Sequence, residues 1–393
     1  MNSKNPRLSV IVPAYAGARV LPLSLSALVR STLPREHWEL IVVDDSSTDK
    51  TTLVAAQFAD TVVRLAGKPH GPAYARNRGF EVSRGDIIVF IDADVCVHPT
   101  ALAQFLEVMD ANPDVSATFG SYDDAPAQPG IVSEFRNLLH HHVHQRDAGE
   151  AETFWAGCGA IRARAFRQVG MFDEWHYARP QIEDIELGRR LRLAGHRILL
   201  RPEIQGTHLK RWTLRETLKT DFQHRGVPWT RLLLQEGPNQ SGQILNLRQA
   251  EKVCTVAAGV AAVGLITAAL SVGFEPLFAT AAAVLTITVL NRDLYRFIAR
   301  ARGPVFVLRI LPFHLLFYMM NIVSAASGWV LHILLGEPAA PVEVAAAAGM
   351  EFDVWPPRAS RPRGGVWDPP PSQTDTRPDS AAAPMKPTAL RAS

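Results

Sequence analysis

Asp92 and Asp94 stand two residues apart, directly after the uninterrupted apolar run 87–91. Two carboxylates in an extended turn repel each other unless a cation lies between them, and at this spacing both can face one divalent ion. Hard oxygen ligands select Mg²⁺ or Mn²⁺, with phosphate oxygens able to complete the shell. An earlier pair, Asp44-Asp45, runs into Ser46-Ser47-Thr48-Asp49, which reads either as a binding loop or as a cap for a helix opening near Asp49. A third acidic pair, Glu183-Asp184, precedes Leu187, Leu191 and Ala194 at helical spacing. That places it at a helix N-terminus, where the macrodipole stabilises negative charge, and capping is the plain reading of the position. Cys96, Cys158 and Cys254 are too widely spaced for a zinc motif or a disulfide framework, which fits a reducing compartment.

These residues need elements to position them. Short apolar runs at 9–12, 39–43, 61–65 and 86–91 read as buried parallel strands, alternating with helical patterns at 21–31, 49–58, 72–83 and 99–110. Pro99 suits a first helical turn. Such alternation predicts an α/β domain with a mostly parallel central sheet and right-handed crossovers, whose ligands bind beyond the carboxyl ends of the strands. The polar residues fall at those ends: Pro13-Ala14-Tyr15 after the first strand, Asp44 to Ser47 after the second, Asp92 and Asp94 after the fourth. Three strand ends converging on one crevice make a site.

The segments Ser9-Val10-Ile11-Val12-Pro13-Ala14-Tyr15, Val42-Val43-Asp44-Asp45-Ser46-Ser47-Thr48-Asp49, Gly71-Pro72-Ala73-Tyr74-Ala75-Arg76-Asn77-Arg78-Gly79 and Ile91-Asp92-Ala93-Asp94 occur in that order. Together they resemble the successive signatures of a family 2 glycosyltransferase with a GT-A-type nucleotide-sugar-binding fold, over residues 7–235. The resemblance implies that Pro13, Tyr15 and Asp45 hold the nucleoside and that Arg76 reaches the base or diphosphate. It also implies that Asp92 binds the ribose side and, with Asp94, the metal. Phe154-Trp155-Ala156-Gly157-Cys158-Gly159-Ala160 resembles the segment lining the acceptor and donor-sugar pocket, which assigns Trp155 and Gly157 to the acceptor. Glu183-Asp184 resembles the acceptor motif that supplies the catalytic base, with Asp184 preferred and Glu183 the alternative. His208 is in register with a histidine that ligates the same metal, and Lys210 faces the diphosphate. Members of the family invert the anomeric centre, and UDP is their commoner nucleotide. The run His140, His141, His142 and His144 matches no family ligand and is read as a solvated or partner-facing surface.

Overall composition conceals how the chain is divided. With 41 Lys+Arg against 38 Asp+Glu and 47% hydrophobic residues, the averages suit a soluble protein and exclude a disordered or fibrous one. The net charge of +3 gives no reason to expect a nucleic acid partner. Residues 253–274 carry no Asp, Glu, Lys or Arg. As a helix they would reach about 33 Å, enough for a hydrocarbon core of roughly 30 Å. Charge-free runs at 276–291 and 310–336 follow, giving a membrane region of about three spans at 253–336. Arg292, Arg296, Arg300, Arg302 and Arg309 lie between the second and third runs, whereas only Glu275 lies between the first and second. The positive-inside rule then puts the Arg-rich loop in the cytoplasm together with domain 1–235. The brief apolar run Val10-Ile11-Val12 before Pro13 is too short to be expected to act as a signal peptide. Three spans send the C-terminus to the far side, and a re-entrant third run would return it. The capping-box spacing of Thr213 and Glu216 starts a helix over about 213–225 with Leu214, Leu218 and Phe222 in one stripe, suited to the membrane surface. Residues 236–252 form a linker, and the Pro- and Ala-rich segment 337–393 is expected to be disordered.

The resulting expectation is an integral inner-membrane, metal-dependent, inverting glycosyltransferase with a cytoplasmic catalytic domain. It would move a single sugar from a nucleotide-diphosphate sugar, a UDP-sugar favoured, to a lipid-linked or polyprenyl-linked acceptor in envelope or exopolysaccharide synthesis. A processive polysaccharide synthase and an inactive nucleotide-sugar-binding membrane scaffold are the rivals. Against the first, Gly226 follows Arg225 and Trp229 comes late, a departure from the Gln-x-x-Arg-Trp of processive synthases. Against the second stand the intact Asp92, Asp94, Asp184 and His208.

Overall fold

Strands β1 (Leu8–Ala14), β2 (Trp38–Asp44) and β4 (Ile87–Ile91) are buried on both faces, which is why they read as largely apolar runs, and β3 (Thr61–Arg64) buries Val62 and Val63 beside them. They lie parallel in the order β3-β2-β1-β4. The β1–β2 register runs from Leu8 opposite Trp38 to Ala14 opposite Asp44, so the two strands deliver their polar ends at the same level. The computed structural model describes residues 5–236, 248–270, 273–336 and 353–355, all within the compact unit Met1–Pro357.

Beyond β4 the sheet changes direction. β8 (Cys158–Arg162) runs antiparallel to β4 and to β6 (Val115–Tyr122), and β6 runs parallel to β9 (Arg197–His208). Short strands β5 (Val95–Val97) and β7 (Gly149–Glu150) pair antiparallel with β9, and β10 (Asp353–Trp355) pairs antiparallel with the outer edge of β3. The expected α/β domain is present, and its sheet is mixed: parallel in the first half, largely antiparallel in the second.

Helices α1 (Leu21–Val29), α2 (Thr51–Ala55), α3 (Pro72–Glu81), α4 (Ala101–Ala111), α5 (Ile131–Arg146), α6 (Ala163–Gln168) and α7 (Glu183–Leu193) connect the strands. Val10, Val12, Leu40 and Val42 face one apolar layer, and Ile11, Ile41 and Val43 face the other. Two helices depart from expectation. α2 starts later than expected because Asp49 accepts from the backbone N–H of Thr51 (3.0 Å) and from its hydroxyl, which makes a turn ahead of the helix. Pro99 is not in the first turn of α4; it precedes the N-cap Thr100, and its carbonyl accepts from Thr32 N (2.8 Å).

Between β9 and Gly336 the described residues are mostly helical. The capping box at Thr213 forms as expected, but the helix that it starts, α8 (Leu214–Lys219), gives way to a π-helical turn at Thr220–Gly226 and then to α9 (Val227–Glu236). α10 (Gln249–Leu270) begins inside the expected linker. α11 (Glu275–Leu290) has 16 residues, and α12 (Arg292–Arg302) bends from it by 69°. α13 (Pro304–Leu335) starts ahead of the expected run at 310 and contains Arg309. Among the described helices, α10 and α13 are long and apolar enough to cross a membrane. The expected disordered tail lies outside the described residues except for Asp353–Trp355, which are a strand.

α3 lies unusually close to the sheet. A Cβ at Gly79 would come within 2.5 Å of Ile11 Cγ2 and 3.0 Å of Val43 Cγ2, contacts that packing does not tolerate without a shift. Gly79→Ala is therefore expected to destabilise the domain by about 1–3 kcal/mol, an overpacking cost read as a lowered thermal midpoint.

Candidate active site

The carboxyl ends of β1, β2 and β4 surround one crevice. Behind β1, Ala16 takes a left-handed φ of 48°, and behind β2, Ser46 takes 61°. Non-glycine residues hold such conformations only where neighbours enforce them. Here Ala16 N donates to Ser47 Oγ (2.9 Å), Gly17 N to Thr51 Oγ1 (2.8 Å), and Asp45 N to Ala14 O (2.8 Å). The two loops are thus stitched together below the crevice. Pro13 lies at the end of β1, and Tyr15 projects with 59% of its surface exposed.

Asp44 and Asp45 divide their labour. Asp44 is fully buried and accepts from Ser47 N (3.0 Å) and from the Thr52 hydroxyl, which closes the loop onto α2. Asp45 is also buried, and its oxygens accept from His70 N (2.9 and 3.0 Å) and Gly71 N (2.7 Å). Gly71 has φ +97°, and a Cβ there would lie 2.6 Å from the carbonyl oxygen of Ala178. Only glycine lets that loop approach the start of α3.

Arg76, one turn into α3, is 4% exposed and connects the two halves of the site. Its Nη2 donates to Asp92 Oδ1 (2.7 Å), and its Nη1 donates to Glu183 Oε1 (3.0 Å). The guanidinium lies 5.3 Å from the Phe172 ring, and its Nε has no partner. Burial pushes the Asp92 carboxyl up, as does the negative charge of Asp94, against the opposing pull of Arg76. Asp94 is held below the ordinary carboxylate range despite burial, because His208 hydrogen-bonds to it and the charges of His208 and Lys210 lie close. His208 Nε2 stands 3.4 Å from Asp94 Oδ2. Lys210 lies over the Trp212 ring at 3.9 Å, and burial lowers its ammonium. The expected trio is therefore only partly assembled: Asp94 and His208 meet, whereas Asp92 turns to Arg76. Among the described residues, no group of three or more His, Cys, Asp or Glu side chains is arranged to hold a metal.

Glu183 and Asp184 open α7, as their spacing predicts. Glu183 is engaged by Arg76 and by Gln181 N (2.8 Å). Asp184 accepts from Ala156 N (3.3 Å) and from Ile185 N (2.8 Å), so it sits against the Trp155–Gly157 segment and keeps a solvent-facing edge. Surrounding protein raises its carboxyl to about 7, with help from the charge of Glu183. The aromatic pair explains the neighbouring glycines: a Cβ at Gly157 would lie 2.5 Å from the Trp155 ring, and one at Gly159 would lie 2.7 Å from the Phe154 ring.

Two features were not legible in the sequence. Tyr122, at the end of β6, stacks on His208 with ring centroids 4.4 Å apart and planes within 12°. Two members of the histidine run are also not on the solvated or partner-facing surface expected. His144 is buried, and His140 packs on Tyr122 (4.4 Å), Trp155 (4.8 Å) and His144 (3.9 Å). Burial keeps both neutral, His144 lowered to about 4 and His140 well below its ordinary value. α5 turns these residues inward because β6 and Trp155 cover that face, a contact between segments far apart in the chain.

Residues 9–170 match the profile of Glycosyl transferase family 2. This segment is a family 2 glycosyltransferase domain. Glycosyltransferase AglE of Haloferax volcanii is 26% identical to the chain over 231 residues, covering 56% of this chain and 73% of AglE. The Escherichia coli UDP-Glc:alpha-D-GlcNAc-diphosphoundecaprenol beta-1,3-glucosyltransferase WfgD is 30% identical over 118 residues, 30% of this chain and 46% of WfgD. The chain spans about half the length of several curated relatives that it matches. A solved structure of the mannosyltransferase PcManGT from Pyrobaculum calidifontis, in complex with GDP-Man and Mn2+, aligns over 85% of this chain and 89% of that one. Its TM-score is 0.47 at 19% identity. The matched segment contains the four motifs on which the sequence resemblance rests, and these relatives are themselves named glycosyltransferases.

If the Asp184 carboxyl, raised to about 7, serves as a base, it is half protonated at neutral pH and fully competent only above it. Transfer activity is expected to rise roughly tenfold per pH unit below about 7 and to level off above it, read from initial rates between pH 5.5 and 8.5. A flat profile across that range removes Asp184 as the base.

Proposed function

We propose that this glycosyltransferase inverts the anomeric centre of a nucleotide-diphosphate sugar, with Asp184 as base, and adds a single sugar to a lipid-linked acceptor at the membrane. The observation that carries this reading is the placement of Asp184 beside the Trp155–Gly157 segment, with its carboxyl raised toward neutrality and next to Glu183, which Arg76 ties to Asp92. In such a reaction the acceptor hydroxyl loses its proton to the Asp184 carboxylate as its oxygen attacks the anomeric carbon, and the bond to the nucleoside diphosphate breaks on the opposite face. Glu183, neutralised by Arg76, orients that base and is the alternative proton acceptor.

Asp94 and His208 supply an oxygen and an imidazole nitrogen within 3.4 Å, a donor set suited to Mn²⁺ or Mg²⁺ with diphosphate oxygens in the other positions. Asp92 would join them if it released Arg76. When bound, such an ion would offset charge gathering on the leaving diphosphate. Lys210, beside Asp94, would contact the same diphosphate. Pro13, Tyr15 and Asp45 line the end where a nucleoside would sit, with UDP the favoured base carrier. A lipid-linked acceptor is supported by the apolar helices that follow the catalytic domain and by the diphosphoundecaprenol acceptor in the name of WfgD.

A donor screen on membranes containing the full chain, with and without Mn²⁺, tests the reading. Asp184→Asn should keep nucleotide affinity within about threefold and lose about 10²–10⁴ in transfer rate. Equal loss of both marks Asp184 as structural. His208→Ala should shift the Mn²⁺ dependence of activity to higher concentration, and an unmoved titration removes it from the ligand set. One added sugar per acceptor is expected, whereas a ladder of products favours a processive synthase.

A further inference from the structure

The described helices carry more information about the membrane than their hydropathy. α10 and α11 pair antiparallel from tip to base. Thr280 Oγ1 lies 3.4 Å from Ala261 O near the tip, and Asn291 Nδ2 lies 3.4 Å from Cys254 Sγ at the base. α12 turns aside at that base. Its Leu294, Tyr295 and Ile298 are buried with Phe135 and Leu138 of α5, while Arg302 bonds Glu134 (2.7 Å) and Asp124 O (3.0 Å). The base of the hairpin is therefore level with the catalytic domain.

α13 meets catalytic-domain elements near both of its ends. Near its start, Ile310 is buried with Phe135 and Leu138. At its middle, the Tyr318 hydroxyl reaches Glu251 (3.0 Å) and Asn291 (3.1 Å) at the hairpin base. Toward its end, a Cβ at Gly328 would lie 2.7 Å from Thr230 Cβ, and Arg231 Nη2 donates to Gly336 O (2.8 Å). α9 is itself fastened to the catalytic domain, with Leu232 and Trp229 packed on Tyr177 and Ile182 next to the acidic pair. A 32-residue helix is about 48 Å long, and one crossing a hydrocarbon core of about 30 Å carries one end out of reach of the domain that holds the other.

We propose that α13 lies along the membrane surface on the catalytic side and does not cross, so that the α10–α11 hairpin is the crossing element of this region. The partner of its outer face is a lipid surface. Val305, Leu308, Val323, Val330, Ile333 and Leu334 are exposed, and at 100° per residue they form one stripe opposite the buried Ile310 and Gly328. Arg309 is exposed beside this stripe, where its stem can lie on apolar surface and its charge can reach headgroups. Strand parity gives an independent argument. β10 follows α13 in the chain and pairs with β3, so the two strands lie on one side of the membrane and the chain between them crosses an even number of times. A hairpin that crosses and returns contributes two, and the stretch 337–352, interrupted by Glu337, Glu343 and Glu351, has no charge-free run long enough for a further crossing, which leaves none for α13. This replaces the three-span arrangement expected from hydropathy and puts α13 over α9, behind the opening of α7. It does not depend on the proposed chemistry.

Nitroxide labels at Leu308→Cys and Ile333→Cys, in a chain with its three native cysteines replaced by alanine, measure the depth of both ends of α13 in proteoliposomes. They are separated by about 37 Å along the helix axis. Depths within about 5 Å of each other are expected for a surface helix, with the axial rise of a crossing helix as the contrast. Labels at opposite depths overturn the proposal. The unsubstituted full chain gives a second readout, with epitope tags at Met1 and Ser393. Both tags should be protected from protease in sealed spheroplasts and both removed in inverted vesicles; tags on opposite sides overturn it, whatever the activity of the enzyme.

Discussion

The site depends on one buried guanidinium. Arg76 holds Asp92, at the end of a parallel strand, and Glu183, at the start of a helix from the antiparallel half of the domain, with two hydrogen bonds of 2.7 and 3.0 Å. Arginine presents a planar fork of donors that can serve two carboxylates at once, which a lysine ammonium cannot reproduce in the same geometry. Breaking such a buried ion network from one side costs about 3–5 kcal/mol, because the remaining charge is left without compensation. Its neighbours keep the fork in place. Gly79 lets α3 lie against β1, Asn77 exchanges hydrogen bonds with the Phe172 backbone (2.9 and 3.1 Å), and Arg78 pairs with Glu174.

That bridge sets the electrostatics on both sides of the crevice. Glu183 is neutralised by Arg76, while Asp184, one residue on, feels burial and the charge of Glu183 and is raised to about 7. One carboxylate of the pair is thus tied to the guanidinium, while the other is left raised toward neutrality beside the crevice. On the other side, Asp94 stays ionised beside His208, and Tyr122 fixes the plane of that imidazole by stacking on it.

α5 carries the same organisation outward. Its inner face packs His140 and His144 on Tyr122 and Trp155, and its end reaches the helical region. Arg146 stands 3.5 Å from Glu251, and Asp147 pairs with Arg248. Glu251 in turn accepts from Tyr318. Aromatic packing at the pocket and ion pairs at the hairpin base are joined by one helix, so the α/β domain and the C-terminal helices share a mechanical connection. Packed interiors transmit small displacements because they compress little.

Local patterns in the chain were enough for the first four strands, the helices between them, the acidic pair at the start of α7, the capping box at Thr213 and the family to which residues 9–170 belong. Each rests on neighbours within a few positions, where periodicity and capping chemistry act directly. Other features required the folded chain. The antiparallel half of the sheet, the turning of Asp92 toward Arg76, the clamp of Asp45 on Gly71 and the inward face of the histidine run all join residues that are far apart in sequence. The same holds for α13: its composition satisfies a bilayer-crossing helix and a surface helix equally, because hydropathy counts apolar residues and not what covers them. Its contacts with α5 at one end and α9 at the other, and the return of the chain to β3, are what favour the second.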